Sequence, residues 1–129
     1  MKNKKNSVLI FGITGLLGST LYSYFKLNKD MSVYGVCRKT PNNKIYLRYK
    51  SEIIQNLDVN NNKELYEIFL KLRPKFVINC IGLIKSKITT RNISQSFKVN
   101  SLFPKKLSFY SEIFNYKLIH ISTDCVFSG

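Results

Sequence analysis

At 129 residues the chain makes one domain, large enough to bury about two-thirds of the surface that its unfolded form exposes. Its 21 Lys and Arg against 7 Asp and Glu give a formal net charge of +14. The lysines are dispersed among asparagines and isoleucines, with no basic helix stripe and no RNA-binding motif, so an anionic nucleotide is favoured over nucleic acid as the partner. Cys37, Cys80 and Cys125 lie far apart without C-x-x-C or Cys/His spacing, which excludes a metal site or disulfide framework and leaves small thiols near strand ends.

The Lys-rich start, Met1 to Asn6, followed by an apolar run from Val8 to Leu21, has the outline of a secretory signal. The run is broken by Gly12, Thr14, Gly15 and Gly18, no small-x-small cleavage site follows, and Tyr22 to Lys29 continues as an amphipathic helix. A cytoplasmic protein without a membrane segment is expected. Val8 to Phe11 reads as a buried strand, and Gly12, Gly15 and Gly18 then recur every third residue before a helix marked by Leu17, Leu21, Tyr24 and Phe25. Strand, glycine turn and helix together are what a dinucleotide phosphate needs, because the helix start offers unpaired N–H groups and a positive dipole end. The spacing is G-x-x-G-x-x-G, which differs from the G-x-G-x-x-G fingerprint.

Met31 to Cys37 is a second strand that runs out into Arg38-Lys39 with no acid. An Asp or Glu there would select NAD, whereas basic residues accommodate the 2′-phosphate of NADP. The two charges therefore tilt the cofactor toward NADP, against the plainer reading of ordinary surface charges. Thr40 to Glu52 reads as a loop with one irregular turn. Ile53 to Leu57 is a short third strand followed by Asp58-Val59. Asp58 can accept hydrogen bonds from an adenine amino group or cap the helix starting near Asn62, and spacing alone favours the cap. Lys63 to Leu72 is a helix with one buried face, stopped at Arg73-Pro74, and Phe76 to Ile81 is a fourth, buried strand. The alternation argues for an α/β fold with a parallel sheet covered on both faces. Strand four lies on the other side of strand one, so that Cys80-Ile81-Gly82 overhangs the cofactor crevice.

From Ile93 to Asn115 the pattern is helical, with Ile93, Phe97 and Phe103 followed by Leu107, Tyr110 and Phe114, and Pro104 should kink or divide it. Asn100, facing strand four, is either a backbone tie or a site residue. Lys117 to Ser122 is the fifth strand. His120, in that strand's interior, is expected to be structural, because side chains there do not reach the crevice at the strand's end.

Ser122-Thr-Asp-Cys-Val-Phe-Ser-Gly129, after strand five, resembles the S-T-D-Y-V-F-x-G motif of the extended short-chain dehydrogenase/reductase superfamily, in its dTDP-4-dehydrorhamnose reductase branch. Only Cys125 departs. The glycine triplet, Asp58-Val59, Asn79-Cys-Ile-Gly82 and Val99-Asn100 with Pro104 fall in the same order, so the resemblance covers essentially the whole chain. It implies a Rossmann-like, doubly wound parallel sheet of about five strands. It implies that Gly12, Thr14, Gly15, Leu16, Leu17 and Gly18 hold the pyrophosphate and that Arg38 and Lys39 lie near the adenosine ribose. Asp58 and Val59 would meet the adenine, which reverses the preference for a cap. Cys80, Ile81 and Gly82, with Asn100 behind them, would line the nicotinamide side. Thr123 would hydrogen-bond the substrate carbonyl, and Asp124 and Cys125 would line the sugar pocket.

The activity implied is NAD(P)H-dependent reduction of a 4-keto nucleotide-linked deoxysugar, with the departure at Cys125 leaving epimerase or dehydratase chemistry open. The family's proton donor, a Tyr-x-x-x-Lys pair, falls after strand five. Tyr22 to Lys26 and Tyr46 to Lys50 match its spacing but lie in the first helix and in the loop after strand two. The 129 residues therefore read as one NAD(P)-binding domain, the amino-terminal part of such an enzyme, expected to bind cofactor with little or no turnover. A non-catalytic NAD(P)-binding regulatory module, or a subunit completed by another chain, is the competing reading. Leu118 to Ile121 would leave an apolar sheet edge, for which self-association is expected.

Overall fold

The structure, a computed structural model, describes residues 6–84 and 89–122. Five strands form one parallel sheet in the order β3-β2-β1-β4-β5: β1 Asn6–Phe11, β2 Met31–Cys37, β3 Ile53–Gln55, β4 Phe76–Asn79 and β5 Lys117–His120. The expected alternation is present, with β1 central and the chain crossing from β3 over to β4, as in a Rossmann-like doubly wound sheet. Among the described residues five α-helices lie between the strands: α1 Leu16–Lys26, α2 Lys44–Arg48, α3 Asn62–Leu72, α4 Ile93–Phe97 and α5 Phe103–Phe114.

The pleat of β1 sends alternate side chains to opposite faces. Leu9 and Phe11 join Val77, Leu65, Phe69, Phe103 and Leu107 under α3 and α5, while Val8 and Ile10 join Ile78, Ile13, Tyr22 and Tyr46 under α1 and α2. The first face is rich in aromatic contacts, with Phe69 stacked on Tyr116 at 5.0 Å and on Phe114 at 5.3 Å. The second face is covered above β1 to β3 but not above β5. Ile119 aligns in register with Ile78, yet it is 46% exposed.

The structure corrects several expected details. The third strand ends at Gln55, since Asn56 turns into the left-handed region at φ 58°. In α1 the inward residues are Gly18 and Tyr22, while Leu17 and Tyr24 are exposed, because the helix touches the sheet at its glycine. Ser96 and Val99, rather than Ile93 and Phe97, face inward in the following helical run. The loop after β2 holds α2, capped by Asn43 accepting from the Tyr46 N–H, and a 3-10 turn at Lys50–Glu52. The division expected at Pro104 is a π-helical stretch, Lys98–Leu102, with the proline in the first turn of α5, where its missing N–H costs no hydrogen bond. Among the described residues no helix is long and apolar enough to cross a membrane.

Candidate functional site

The carboxyl ends of β1, β2 and β4 open on one crevice, and the chain enters it at the glycine turn. Gly12 has φ +84°, a conformation that strains any residue with a Cβ. Its N–H and that of Ile13 both donate to the Val36 carbonyl, at 3.0 and 3.2 Å, which pins the turn to the end of β2. The Gly15 N–H donates to the Gly12 carbonyl at 3.1 Å. A Cβ at Gly18 would stand 2.1 Å from the Gly12 oxygen, so only glycine lets α1 approach the turn this closely. Gly15 differs, for its Cβ would meet only the Gly12 oxygen at 3.5 Å. Gly15 is the N-cap of α1, no side chain caps the helix, and no acid stands in its first turn. The first helical hydrogen bond is Ser19 N–H to the Gly15 carbonyl, so the N–H groups of Leu16, Leu17 and Gly18 precede it. A helix start built in this way fits a phosphate. Thr14, Leu16 and Leu17 are exposed beside it.

Beneath the turn sits a cluster whose structural part the Tyr-x-x-x-Lys spacings did not announce. The buried Tyr46 hydroxyl donates to the Ile13 carbonyl at 2.6 Å, and its ring stacks on Tyr22 at 5.9 Å with an interplanar angle of 5°. Burial raises the pKa of Tyr46, and more strongly that of Tyr22, whose hydroxyl is buried without a hydrogen-bond partner. Lys26 pairs with Glu52 and lies 4.7 Å from the Tyr49 ring centroid; burial lowers its pKa against the opposing effect of Glu52. The tyrosines of both Tyr-x-x-x-Lys matches are thus packed inside the fold, away from the crevice.

Arg38 and Lys39 follow β2 directly and are exposed. Asp58 is not the cap that spacing favoured: Asn61 caps α3, accepting from the Lys63 and Glu64 N–H groups. Asp58 instead accepts from the backbone and side-chain nitrogens of Asn60, both at 2.9 Å, which holds its exposed carboxylate at the β3 end of the crevice. Lys106 reaches over from α5 and donates to the Val59 carbonyl at 3.0 Å. Burial lowers the Lys106 pKa, partly offset by Asp58.

At the other end, Cys80 continues from β4 with its N–H on the Phe11 carbonyl at 3.0 Å, and burial raises its thiol pKa. Asn79 is fully buried. Its Oδ1 accepts from the Ile81 N–H at 3.0 Å, which turns Nδ2 toward His120 Nδ1 at 3.1 Å. The histidine is therefore the last residue of β5 rather than an interior one, and it is exposed. Asn100 is a backbone tie, accepting from the Leu83 N–H and donating to the Leu83 carbonyl, both at 2.8 Å. A Cβ at Gly82 would lie 3.7 Å from Asn100 Oδ1, an ordinary contact. Asn79 lies in the motif that carries the resemblance, and its only other signal is a polar residue closing an apolar strand. Tyr46 and Lys106 have no such signal. Thr123, Asp124 and Cys125 lie outside the described residues.

A shallow cavity of about 290 Å³ lies elsewhere, between β3 and α3, lined by Ile54, Leu57, Ile68, Glu64 and their neighbours. Nothing from β1 or β4 reaches it. Among the described residues no group of three or more His, Cys, Asp or Glu could hold a metal ion.

Residues 6–129 match the model of the family described as RmlD substrate binding domain. No curated protein sequence matches. Among solved structures, dTDP-4-dehydrorhamnose reductase from Bacillus anthracis in complex with NADP shares 22% identity and a TM-score of 0.76, over 100% of this chain and 40% of that one. ADP-L-glycero-D-manno-heptose-6-epimerase from Helicobacter pylori shares 20% and 0.76, over 96% of this chain and 42% of that one. The Bordetella bronchiseptica enzyme WbmG in complex with NAD shares 15% and 0.75, over 95% of this chain and 39% of that one. The chain thus spans about two-fifths of the length of these structures.

Proposed function

The chain belongs to the RmlD substrate binding domain family, matched over residues 6–129, and from that premise we propose that it is the dinucleotide-binding part of an NAD(P)H-dependent reductase of 4-keto nucleotide-linked deoxysugars. The observation that carries this reading is the glycine turn. Gly12 at φ +84° and Gly18 against the Gly12 carbonyl bring an uncapped helix start to the sheet's carboxyl edge. This geometry suits a pyrophosphate.

In this reading the Leu16, Leu17 and Gly18 N–H groups take the pyrophosphate, with Thr14 and Gly15 at its edge. The Asp58 carboxylate accepts from the adenine amino group, beside Val59. Cys80, Ile81 and Gly82 flank the nicotinamide-side ribose, and Asn100 keeps that wall in place through Leu83. The bound cofactor supplies a hydride for the 4-keto carbon. Thr123 hydrogen-bonds the carbonyl and favours the charge that develops on its oxygen, while Asp124 and Cys125 line the sugar pocket. Tyr22 and Tyr46 are both packed inside the fold, so neither serves as the proton donor in this reading.

NADPH is the preferred cofactor, since Arg38 and Lys39 are exposed after β2 and no acid stands there to repel a 2′-phosphate. Fluorescence titration tests both claims. Saturable binding of NADPH below millimolar concentration is expected, and its absence for NADPH and NADH alike would sink the reading. Replacing Arg38 and Lys39 together by Ala should weaken NADPH about tenfold and leave NADH nearly unchanged; equal losses would overturn the 2′-phosphate assignment. A cytoplasmic location belongs to the same reading, on the interrupted apolar run that follows the Lys-rich start, and cell fractionation checks it. Self-association through β5 is supported by the exposure of Ile119 and Ile121. Native-size measurement decides that point, and a stable monomer would count against it.

A further inference from the structure

We infer that Tyr46 is a positioning residue for the phosphate turn, its hydroxyl holding the Ile13 carbonyl so that the N–H groups at the start of α1 stay aimed at a pyrophosphate. The inference rests on the cofactor reading above. Ile13 is fully buried, in the three-residue reversal between Gly12 and α1. Its N–H is already committed to the Val36 carbonyl, and the 2.6 Å bond from Tyr46 commits its carbonyl as well. With both backbone groups of Ile13 tied, the peptide planes on either side of it cannot rotate without breaking a buried hydrogen bond. Those planes set the direction of the segment that leads into Leu16, Leu17 and Gly18.

Tyr46 is itself held from three directions. Asn43 caps its short helix through the Tyr46 N–H, the ring stacks flat on Tyr22 of α1, and the side chain is enclosed by the core face that contains Val8, Ile10 and Ile53. A hydroxyl on so fixed a ring is a pre-set donor, and α2 thereby buttresses the turn from below. This gives a role to a short helix that sequence pattern reads only as a loop. The neighbouring tyrosine supplies an internal comparison. Tyr22 is as deeply buried and shares the same stack, but its hydroxyl has no hydrogen-bond partner and so ties no backbone group of the turn.

The test uses two single-hydroxyl deletions, Tyr46→Phe and Tyr22→Phe, in the full 129-residue chain. ADP-ribose, which carries the pyrophosphate, and adenosine 2′-phosphate, which does not, serve as probes alongside NADPH and NADH, with binding followed by calorimetry or competition. Tyr46→Phe is expected to weaken ADP-ribose, NADPH and NADH by a similar factor of about five and to leave adenosine 2′-phosphate unchanged. Tyr22→Phe should leave all four unchanged. Equal ADP-ribose affinity in Tyr46→Phe and the parent chain would overturn the inference, as would a parallel loss of adenosine 2′-phosphate binding, which marks general loosening. If Tyr46→Phe does not fold, Tyr46→His, which retains a ring and a donor, replaces it, and failure to preserve the ADP-ribose to adenosine 2′-phosphate ratio better than Tyr46→Leu would overturn the inference. A parent chain that binds none of the four refutes the cofactor reading itself, a result distinct from the others.

Discussion

The two ends of the crevice are built by different means. At the β1 end, backbone holds backbone: Gly12 and Ile13 donate to Val36, Gly15 donates to Gly12, and the Gly18 Cα rests against the Gly12 carbonyl. At the β4 end, side-chain amides do the holding: Asn79 ties the Ile81 N–H and the His120 ring, and Asn100 ties both backbone polar groups of Leu83. The first design tolerates almost no change in residue type but places its ligand-facing groups rigidly. The second tolerates change at Asn100, since removing that exposed amide opens the Leu83 backbone to water, but not at the buried Asn79.

The sharpest way to break the glycine end is Gly18→Ala. The added Cβ would sit 2.1 Å from the Gly12 oxygen, and relief requires α1 to lift from the sheet. A loss of about 3 kcal/mol is expected by urea denaturation, with NADPH binding abolished. Stability within about 0.5 kcal/mol of the parent would mean that α1 is not seated as described. At the amide end the strongest change is Asn79→Ala. It removes a fully buried amide and leaves the partly buried Ile81 N–H without its acceptor and His120 without its donor. We expect a loss of about 2 kcal/mol, and faster hydrogen exchange at Ile81 while the amides of Gly12 and Ile13 keep their protection. Uniform loss of protection across both ends would erase the contrast between them.

The same contrast explains what the sequence made legible. Glycines announce a backbone-built end because their spacing is itself the mechanism, so the turn, the helix after it and the strand order could be read from Gly12, Gly15, Gly18 and the apolar alternation. Asn79 and Asn100 act through their partners, and a partner such as Leu83 or His120 is known only once strands four and five are side by side. Asp58 shows the limit from another side: an acid a few residues before a helix looks like a cap, yet Asn61 stands closer to α3 and takes that role. The packing roles of Tyr46 and Lys106 were illegible for a simpler reason. One sits in a stretch of loop-like composition, the other is one lysine among many, and each acts on a carbonyl distant in sequence, Ile13 or Val59.

A smaller effect separates the two core faces beneath these ends, through two buried tyrosines. Tyr116, under the amide end, donates its hydroxyl to the Leu107 carbonyl at 2.5 Å, whereas Tyr22, under the glycine end, has no partner for its own. Tyr116→Phe should therefore cost about 1 kcal/mol at neutral pH, because a buried hydroxyl–carbonyl bond is lost, while Tyr22→Phe, which loses none, should cost less than about 0.5 kcal/mol or stabilise. Alkaline pH reverses the resemblance of these two variants to the parent. Burial raises both phenol pKa values above the ordinary 10.0. The folded protein therefore keeps protons that the unfolded chain releases, and the stability contributed by each neutral phenol is complete below pH 10 and is lost as pH rises above it. Lys26, whose pKa is lowered by burial, works in the opposite sense just below its ordinary 10.5, since there the unfolded chain holds the extra proton and stability rises with pH. The tyrosines outnumber it, so the parent should lose stability from about pH 10 upward. Each phenylalanine variant should lose it less steeply, and the Tyr22→Phe curve should cross above the parent's. Parallel curves for all three proteins would mean that neither phenol is held neutral by the fold.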